Sequence, residues 1–275
     1  MGAFPSGRRR RARVVLAAAC GAAAIAVTAA ACGGSGSSGN GASNSSGGTK
    51  VSGGTATFAL QPSQSPNYIF PFSSSTYFSV VNSEDFQYLM YRPLYWFGNG
   101  ASPTLNTSLS LAAVPVYNGT NVTITLKPWK WSNGETVTAQ DVVFWIHMMQ
   151  AEAATNWGAY VPGGFPSNVS NVKATSATTL TMTMNKQYNP TWFTDNELSQ
   201  ITPMPMAWDV TSLAGKPGSG GCTAAVSSCR RVYAFLDGQS KALSTWASSR
   251  IWSVVDGPWR LRSYTSDGNA EFAPN

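Results

Sequence analysis

The sequence predicts a mixed α/β domain, and three observations support this fold class. Residues 122–126 alternate between apolar and polar side chains, which is typical of a half-buried strand. Residues 138–152 place apolar side chains at helical spacing behind a capping residue, which predicts a helix with one apolar face. Residues 259–272 predict a hairpin closed by an Asp-Gly turn. Helices and strands mix without a regular βα repeat, so an all-β barrel is disfavoured.

The first 54 residues predict export and a tether rather than a fold. Five arginines within residues 8–13 precede an uncharged apolar run over residues 14–31 that ends in small residues. This order predicts a secretory signal peptide over residues 1–31. A retained membrane helix is the alternative, because the run is just long enough to span a bilayer. The next residues are almost entirely Gly, Ser, Asn, Ala and Thr, so residues 32–54 are predicted to form a flexible linker.

A cysteine at the end of the signal peptide indicates how the protein is held at a membrane. Three alanines precede Cys32, and this arrangement resembles the lipobox of bacterial lipoproteins. The resemblance implies cleavage before Cys32 and its acylation, so that two or more acyl chains anchor the protein in membrane lipid. Cys20 is the poorer acceptor because it lies inside the apolar run. Ala29 stands where Leu is commonest, which keeps simple secretion open as the alternative.

Folded sequence is predicted to begin at residue 55. Residues 55–60 alternate and predict a first strand, whereas residues 61–72 carry three prolines and predict an irregular, extended loop. Residues 83–94 predict a helix with Ser83 as its N-cap and Pro93 at its end. Further strands are predicted at residues 172–175, 180–184 and 259–264.

The helix predicted over residues 138–152 has the clearest local signals. Thr138 is its predicted cap, and Asp141 follows three residues later, where its carboxylate meets the positive end of the helix dipole. Its apolar stripe consists of Val142, Trp145, Ile146 and Met149. His147 lies about 140° around the helix from Val142 at 100° per residue, so it is predicted to face solvent or a second element.

The charge distribution removes the main support for nucleic-acid binding. The chain has 18 basic and 12 acidic residues, but five of the basic ones belong to the signal peptide, and the remaining charges nearly balance. The basic isoelectric point therefore does not describe a face of the folded part, and no nucleic-acid partner is predicted. His147 is the single histidine, which excludes a His-rich metal site, and no metal or other cofactor is predicted.

Cys222 and Cys229 bracket a short loop that a Gly-rich segment precedes. In an exported protein, two cysteines this close most simply form a local disulfide, and free thiols are the alternative. In the chain-entropy model, a ring this small contributes only about 2 to 3 kcal/mol. The predicted role of the bond is to fix one surface loop.

Three segments resemble the extracellular solute-binding proteins of family 5, the oligopeptide and dipeptide receptors of ABC importers. Residues 122–149 (VTITLKPWKWSNGETVTAQDVVFWIHMM) resemble the family's strand, Trp-rich turn and capped helix. Residues 88–97 (YLMYRPLYWF) are similar to its aromatic turn after the first helix. Residues 254–275 carry Gly257 and Pro258 and resemble its Gly-Pro-aromatic strand and hairpin. The first segment is the most specific of the three.

The resemblance implies a fold and a mechanism. The implied fold is that of a type II periplasmic binding protein, in which two lobes close over the ligand. Residues 55–275 correspond to its first lobe, incomplete, and the second lobe is expected to follow in a longer chain. The implied function is capture of oligopeptides or similar solutes outside the bacterial membrane and delivery to an ABC permease, without catalysis.

Candidate residues for the solute surface follow from the same resemblance. The family's loop after the first strand faces ligand, and this places Asn67, Tyr68 and Phe70 in the cleft. Trp129 and Trp131 are weaker candidates. For each aromatic residue, ordinary packing inside the lobe is the alternative.

The remaining motif residues have structural roles that follow from their own chemistry, independently of the family resemblance. Gly134 permits a positive φ in a turn, and Glu135 lies beside it. Glu135 and Asp141 are assigned to the scaffold together with Thr138, because a helix cap does not suit a paired-carboxylate hydrolase.

Two other function classes stay open. A secreted hydrolase is disfavoured by the single histidine and by the lack of G-x-S-x-G and H-E-x-x-H motifs in the sequence. A surface lipoprotein with a structural or adhesive role is harder to separate, because Ser, Thr and Asn dominate the polar positions.

Overall fold

A four-stranded antiparallel sheet and one long helix form the framework of the fold. The computed structural model describes residues 53–62, 64–98 and 104–275, and Thr57–Asn275 form one unit. The predicted signal peptide, the predicted lipidation site Cys32 and all but the last two residues of the predicted linker lie outside the described residues. The predicted limits of these segments therefore stay predictions.

Helices and strands alternate irregularly along the described chain. The helices are α1 (Val80–Asn82), α2 (Tyr88–Met90), α3 (Ala139–Asn156), α4 (Pro190–Asn196) and α5 (Cys229–Ser240). The strands are β1 (Val116–Asn118), β2 (Asn121–Thr125), β3 (Val169–Ala174), β4 (Thr179–Met184), β5 (Trp259–Tyr264) and β6 (Ala270–Pro274). The prediction of a mixed α/β architecture is confirmed.

The strand order in the four-stranded sheet is β1-β2-β4-β3, with every neighbouring pair antiparallel. Ile124 pairs with Leu180 and Val122 pairs with Met182, and all four side chains are buried on one face. The threonines between them point to the opposite face, as the period of two requires. The strands predicted around these residues are confirmed, with β3 beginning three residues before its predicted start.

The long helix α3 is buried on nearly all sides. It contacts β3 and β4 of the sheet and also α5. The predicted stripe of Val142, Trp145, Ile146 and Met149 is buried, and so are Val143, Phe144 and Met148 on the remaining faces. Apolar side chains on most faces of its central part explain this position, because each apolar face needs a partner. His147 contacts a second element, with its Nδ1 3.0 Å from the carbonyl oxygen of Cys222.

The first helical segment begins earlier than predicted. Its N-cap is Ser79, not Ser83, and the Ser79 hydroxyl accepts a hydrogen bond from the backbone N–H of Asn82 at 3.2 Å. A π-helical segment, Ser83–Gln87, joins α1 to α2, and the helical path ends at Met90 before the predicted stop at Pro93. Both serines suit a cap, and local sequence does not distinguish them.

The strand predicted over residues 55–60 is wrong. These residues form no ladder with any strand in the described ranges, and they are exposed, with Phe58 88% exposed. Alternation predicts a strand only where a neighbouring strand supplies hydrogen bonds and a core covers the apolar side. The loop predicted over residues 61–72 is confirmed as irregular at residues 61, 62 and 64–72.

The predicted hairpin is confirmed as β5 and β6, joined by a turn in which Gly268 has a φ of 93°. Its base touches the end of α2 through Gly257, whose N–H donates to the carbonyl of Met90 at 2.7 Å. A Cβ on Gly257 would lie 2.5 Å from the carbonyl carbon of Met90. Only glycine permits so close an approach of the two backbones.

The cysteine loop is closed as predicted. Cys222 and Cys229 form a disulfide with a Cα–Cα distance of 4.4 Å. The loop is attached to α3 on one side by Gln140, whose amide donates to the carbonyl of Thr223 at 2.9 Å.

Within the described ranges, every helix is too short or too polar to cross a bilayer.

A pair of glycine substitutions tests the contact at the hairpin base. We expect Gly257→Ala to lower the free energy of unfolding by about 3 kcal/mol, because backbone atoms have to move to admit the new methyl group. Gly238→Ala, on α5, is the matched control, because a Cβ added at Gly238 would have no atom within 4 Å. It should raise stability by about 0.5 to 1 kcal/mol. Urea denaturation measures both, and equal stability of the two variants would contradict the assignment.

Candidate functional site

The proline-rich loop over residues 61–72 is fixed by side chains from two other parts of the chain. The hydroxyl oxygen of Ser240 accepts hydrogen bonds from the N–H groups of Ile69 and Phe70, both at 2.9 Å. The amide of Gln87 donates to the carbonyls of Tyr68 and Phe70 at 3.0 and 3.2 Å. The loop backbone lacks strand or helix partners, so these side chains satisfy its buried polar groups.

The structure places the three loop candidates in two different environments. Tyr68 and Phe70 are wholly buried, and Asn67 is exposed. Asn67 and Asn82 bond reciprocally: the N–H of Asn67 donates to Asn82 Oδ1 at 2.9 Å, and Asn82 Nδ2 donates to Asn67 Oδ1 at 2.8 Å. Asn67 is therefore the one of the three loop candidates whose side chain is exposed.

The buried loop aromatics belong to the core. Tyr68 stacks on Tyr77 with ring centroids 4.3 Å apart, and its hydroxyl donates to Asp237 at 2.9 Å. Burial raises the pKa of the Tyr68 hydroxyl far above its usual range, so it is a donor and not an anion. Phe70 lies 6.0 Å from the ring of Trp208 in an edge contact. This packing favours the alternative interpretation of both residues, as parts of the lobe interior.

Trp131 connects the turn to the helix cap. It is 3% exposed, and its indole N–H donates to Asp141 Oδ2 at 3.2 Å. The same oxygen accepts from the N–H of Thr138 at 2.7 Å and from the Thr138 hydroxyl at 3.1 Å. Burial raises the pKa of Asp141 to about 6, although these hydrogen bonds lower it. Thr138, Asp141 and Trp131 together hold the start of α3, which is a structural role.

Trp129 is half-buried and sits beside two cations. The guanidinium carbon of Arg92 lies 4.2 Å from its ring centroid, and Lys127 Nζ lies 5.8 Å from it. The indole N–H donates to the carbonyl of Ser110 at 3.2 Å. Its ring keeps partial exposure, so Trp129 is a more accessible candidate than the buried Trp131.

The turn residues occupy the geometry that the motif predicts. Gly134 has a φ of 89°, and its N–H donates to the carbonyl of Trp131 at 2.9 Å. Glu135 is exposed and accepts from Asn133 Nδ2 at 2.9 Å. Pro258 is exposed at the base of the hairpin, where its carbonyl accepts from the N–H of Asn275 at 3.0 Å.

Among residues 53–62, 64–98 and 104–275, no group of three His, Cys, Asp or Glu side chains suits a metal ion.

A family model decides the affiliation of the chain. The model described as bacterial extracellular solute-binding proteins, family 5 Middle, matches residues 110–275, which is more than half of the sequence. The chain belongs to this family. It is a family of binding proteins that act outside the cytoplasm. No curated protein sequence matches the chain.

Solved structures of binding proteins are similar to this family 5 protein. The murein tripeptide-binding protein MppA of Escherichia coli aligns with a TM-score of 0.50 and 15% identity over 76% of this chain. Haemophilus influenzae OppA, solved with the peptide RPPGFSPFR, gives 0.49 and 16% over 76%. NikZ of Campylobacter jejuni, solved with Ni(L-His), gives 0.47 and 17% over 76%. This chain spans 36%, 36% and 33% of the three structures, or about a third of their length. The likeness to MppA shows the fold predicted above.

Sequence reasoning missed two buried aspartates of the family 5 protein. Asp209 is fully buried and accepts from the N–H of Cys222 at 3.0 Å and from the N–H and hydroxyl of Thr223 at 3.1 and 2.7 Å. Asp256 precedes the Gly-Pro junction and accepts from the N–H of Arg92 at 2.9 Å. The only local signal for Asp256 was its position beside the Gly-Pro pair. Its hydrogen-bond partner, Arg92, lies far away in sequence.

Asp256 is held in an environment that favours its neutral form. It is 4% exposed, and its Oδ2 has no hydrogen-bond partner in the described part of the chain. Burial raises the pKa of this carboxyl from its ordinary 3.8 to about 7, with Arg92 acting in the opposite direction. A raised pKa means that the folded protein binds the proton more tightly than the unfolded chain does.

The two raised pKa values predict how stability depends on pH. Between about pH 4 and pH 7 the unfolding free energy should fall, by up to about 1.4 kcal/mol per pH unit for each carboxyl, because Asp141 and Asp256 ionise more readily in the unfolded chain. In Asp256→Asn the fall should end near pH 6, the pKa of Asp141. Urea denaturation at several pH values measures the profile.

The exposed Asp267 is the control for this profile. Hydrogen bonding by Thr265 lowers the pKa of Asp267, so its contribution is lost only as the pH falls below the ordinary range of aspartate. Asp267→Asn should leave the slope between pH 4 and pH 7 unchanged. A wild-type profile that rises over this interval would contradict the assignment of neutral Asp256.

Proposed function

We propose that this family 5 protein is the solute-binding lipoprotein of an ABC importer, and that it captures oligopeptides or similar solutes outside the bacterial membrane. The match of residues 110–275 to the family model carries the proposal. In this mechanism a solute selects a closed arrangement of two lobes, and the loaded protein then docks on a membrane permease. The residues described here supply the first lobe, and no step of the function forms or breaks a bond in the solute.

The fixed loop supports a role in capture. Ser240 and Gln87 hold the loop backbone, and the reciprocal bonds with Asn82 orient the exposed amide of Asn67. A preorganised amide can donate to a peptide carbonyl and accept from a peptide N–H, which suits recognition of backbone rather than of one side chain. Trp129 is the second candidate for solute contact, because its ring is partly exposed. Tyr68, Phe70 and Trp131 support the surface from within.

A thermal-shift experiment tests capture. A tripeptide such as trialanine, at about 100 times its dissociation constant, should stabilise the full-length, two-lobed protein by about 2.7 kcal/mol and raise its Tm by about 5 to 10 °C. The peptide-induced shift should shrink in Asn67→Ala. Asn118→Ala, which removes another exposed asparagine on β1, is the matched control and should keep the full shift.

Two results would count against this proposal in different ways. No shift with a mixture of di-, tri- and oligopeptides would remove peptides as the solute class. A full shift in Asn67→Ala would keep peptide capture and remove Asn67 from the solute surface. Because the readout is the difference between bound and free protein, a loss of basal stability from the Asn82 contact does not affect it.

Anchoring through Cys32 is tested separately. We expect the protein from bacterial membranes to begin at Cys32 and to carry lipid, which mass spectrometry of its N-terminal peptide measures. Cys32→Ser should release the protein from the membrane fraction, since its acyl chains provide the attachment. Cys20→Ser is the matched control and should stay anchored. An unmodified N-terminus elsewhere would show simple secretion instead.

A further inference from the structure

Two cations share one aromatic ring at the turn that follows β2. The guanidinium carbon of Arg92 lies 4.2 Å from the ring centroid of Trp129, and Lys127 Nζ lies 5.8 Å from the same centroid. Like charges held on one ring repel each other: partial burial, and then the charge of Arg92, lower the pKa of the Lys127 ammonium. An anion beside the two cations would relieve this repulsion.

The chain itself supplies no such anion at the surface. All twelve acidic residues lie in the described part of the chain, and the ion pairs found there involve cations other than Arg92 and Lys127. Asp256 is the carboxyl that acts on Arg92, where it opposes the lowering of the guanidinium pKa by burial. Burial raises the pKa of Asp256 itself to about 7, so near neutral pH it carries only part of a negative charge. Positive charge is therefore left over at the ring.

One turn of backbone holds both cations in place. The carbonyl of Leu109 accepts from Arg92 Nη1 at 3.0 Å, and the carbonyl of Thr107 accepts from Lys127 Nζ. Asn106 stabilises this turn, because its Oδ1 accepts from the N–H of Leu109 at 3.2 Å. The same turn also accepts from the indole N–H beneath the cations. Cations that are fixed in this way lose little conformational entropy when they bind a ligand.

Both cations keep donors for a ligand. Arg92 Nη2 has no hydrogen bond to the described residues and is not buried, unlike Nε of the same side chain. Lys127 Nζ has three N–H donors, and the Thr107 carbonyl takes one of them. Since the guanidinium lies against the ring of Trp129, a ligand meets N–H groups and positive charge there as well as the ring.

We propose that Arg92 and Lys127 bind a carboxylate of the captured solute, so that the protein prefers peptides with an acidic side chain. This inference rests on the proposed function, in which Trp129 is the second candidate for solute contact. The carboxylate would accept from Nη2 of Arg92 and from the Lys127 ammonium, and charge-assisted hydrogen bonds are stronger than neutral ones. Asn67 would then recognise peptide backbone, while the two cations add a preference for one kind of side chain.

Calorimetric titration of the full-length, two-lobed protein with three tripeptides tests this preference. Ala-Glu-Ala should bind about fivefold more tightly than Ala-Gln-Ala, equivalent to about 1 kcal/mol, and Ala-Lys-Ala should bind more weakly than either. In Lys127→Met, which removes the charge, the ratio of the first two affinities should fall to about twofold or less. Lys127→Arg restores the charge and should keep the ratio. Because each ratio compares two peptides on one variant, a change in stability does not affect it.

Lys173→Met is the matched control, because it removes an exposed lysine on β3 and changes the net charge by the same amount. It should keep the wild-type ratio, and an equal loss of the ratio in this control would assign the preference to net charge. A wild-type ratio near one would overturn the carboxylate site and leave peptide capture intact. A ratio that survives in Lys127→Met would place acid recognition elsewhere. Binding of none of the three peptides would remove the proposed peptide capture and the carboxylate site with it.

Discussion

Burial of α3 on nearly all of its sides is the constraint on which the rest of the structure depends. The sheet covers one side, and α5 together with the aromatic core covers the other, where Phe72 meets Trp145 with ring centroids 5.4 Å apart. Little solvent reaches the start of a helix in this position, so the polar groups there need hydrogen-bond partners within the protein. Asp141 therefore has to bond to Thr138 and Trp131, and this explains why the cap and the Trp-rich turn form one unit.

The same core turns an irregular segment into a fixed surface. The proline-rich loop contains no strand or helix, and its rigidity comes from side chains that reach it from distant parts of the chain. Ser240, at the end of α5, and Gln87 satisfy its backbone, while Tyr68 and Phe70 fill space in the core. The exposed residues of the loop are thereby held in place, so that a solute bound there, as proposed, would cost less conformational entropy.

Local signals were reliable where a residue and its partner are close in sequence. The cap formed by Thr138 and Asp141, the strand at residues 122–126 and the hairpin turn at Gly268 are all of this kind, and each was predicted correctly. The segment 55–60 has strand-like alternation but no partner among the described strands, so the pattern alone misled. The solute candidates show the same limit, because aromatic residues in a loop suit either a cleft or a core, and burial decides between them.

The sequence by itself determined the family, the mixed architecture and the cysteine pair, since these depend on residue types at short and regular spacing. The export and lipidation signals predicted in residues 1–32 are likewise of a kind that enzymes read as linear sequence. Only the tertiary structure decided that burial raises the pKa of Asp256 while Arg92 lowers it, and that Asn67 is the exposed one of the three loop candidates. These properties arise from contacts between distant residues, and burial and electrostatic fields follow from the whole packing rather than from any local pattern.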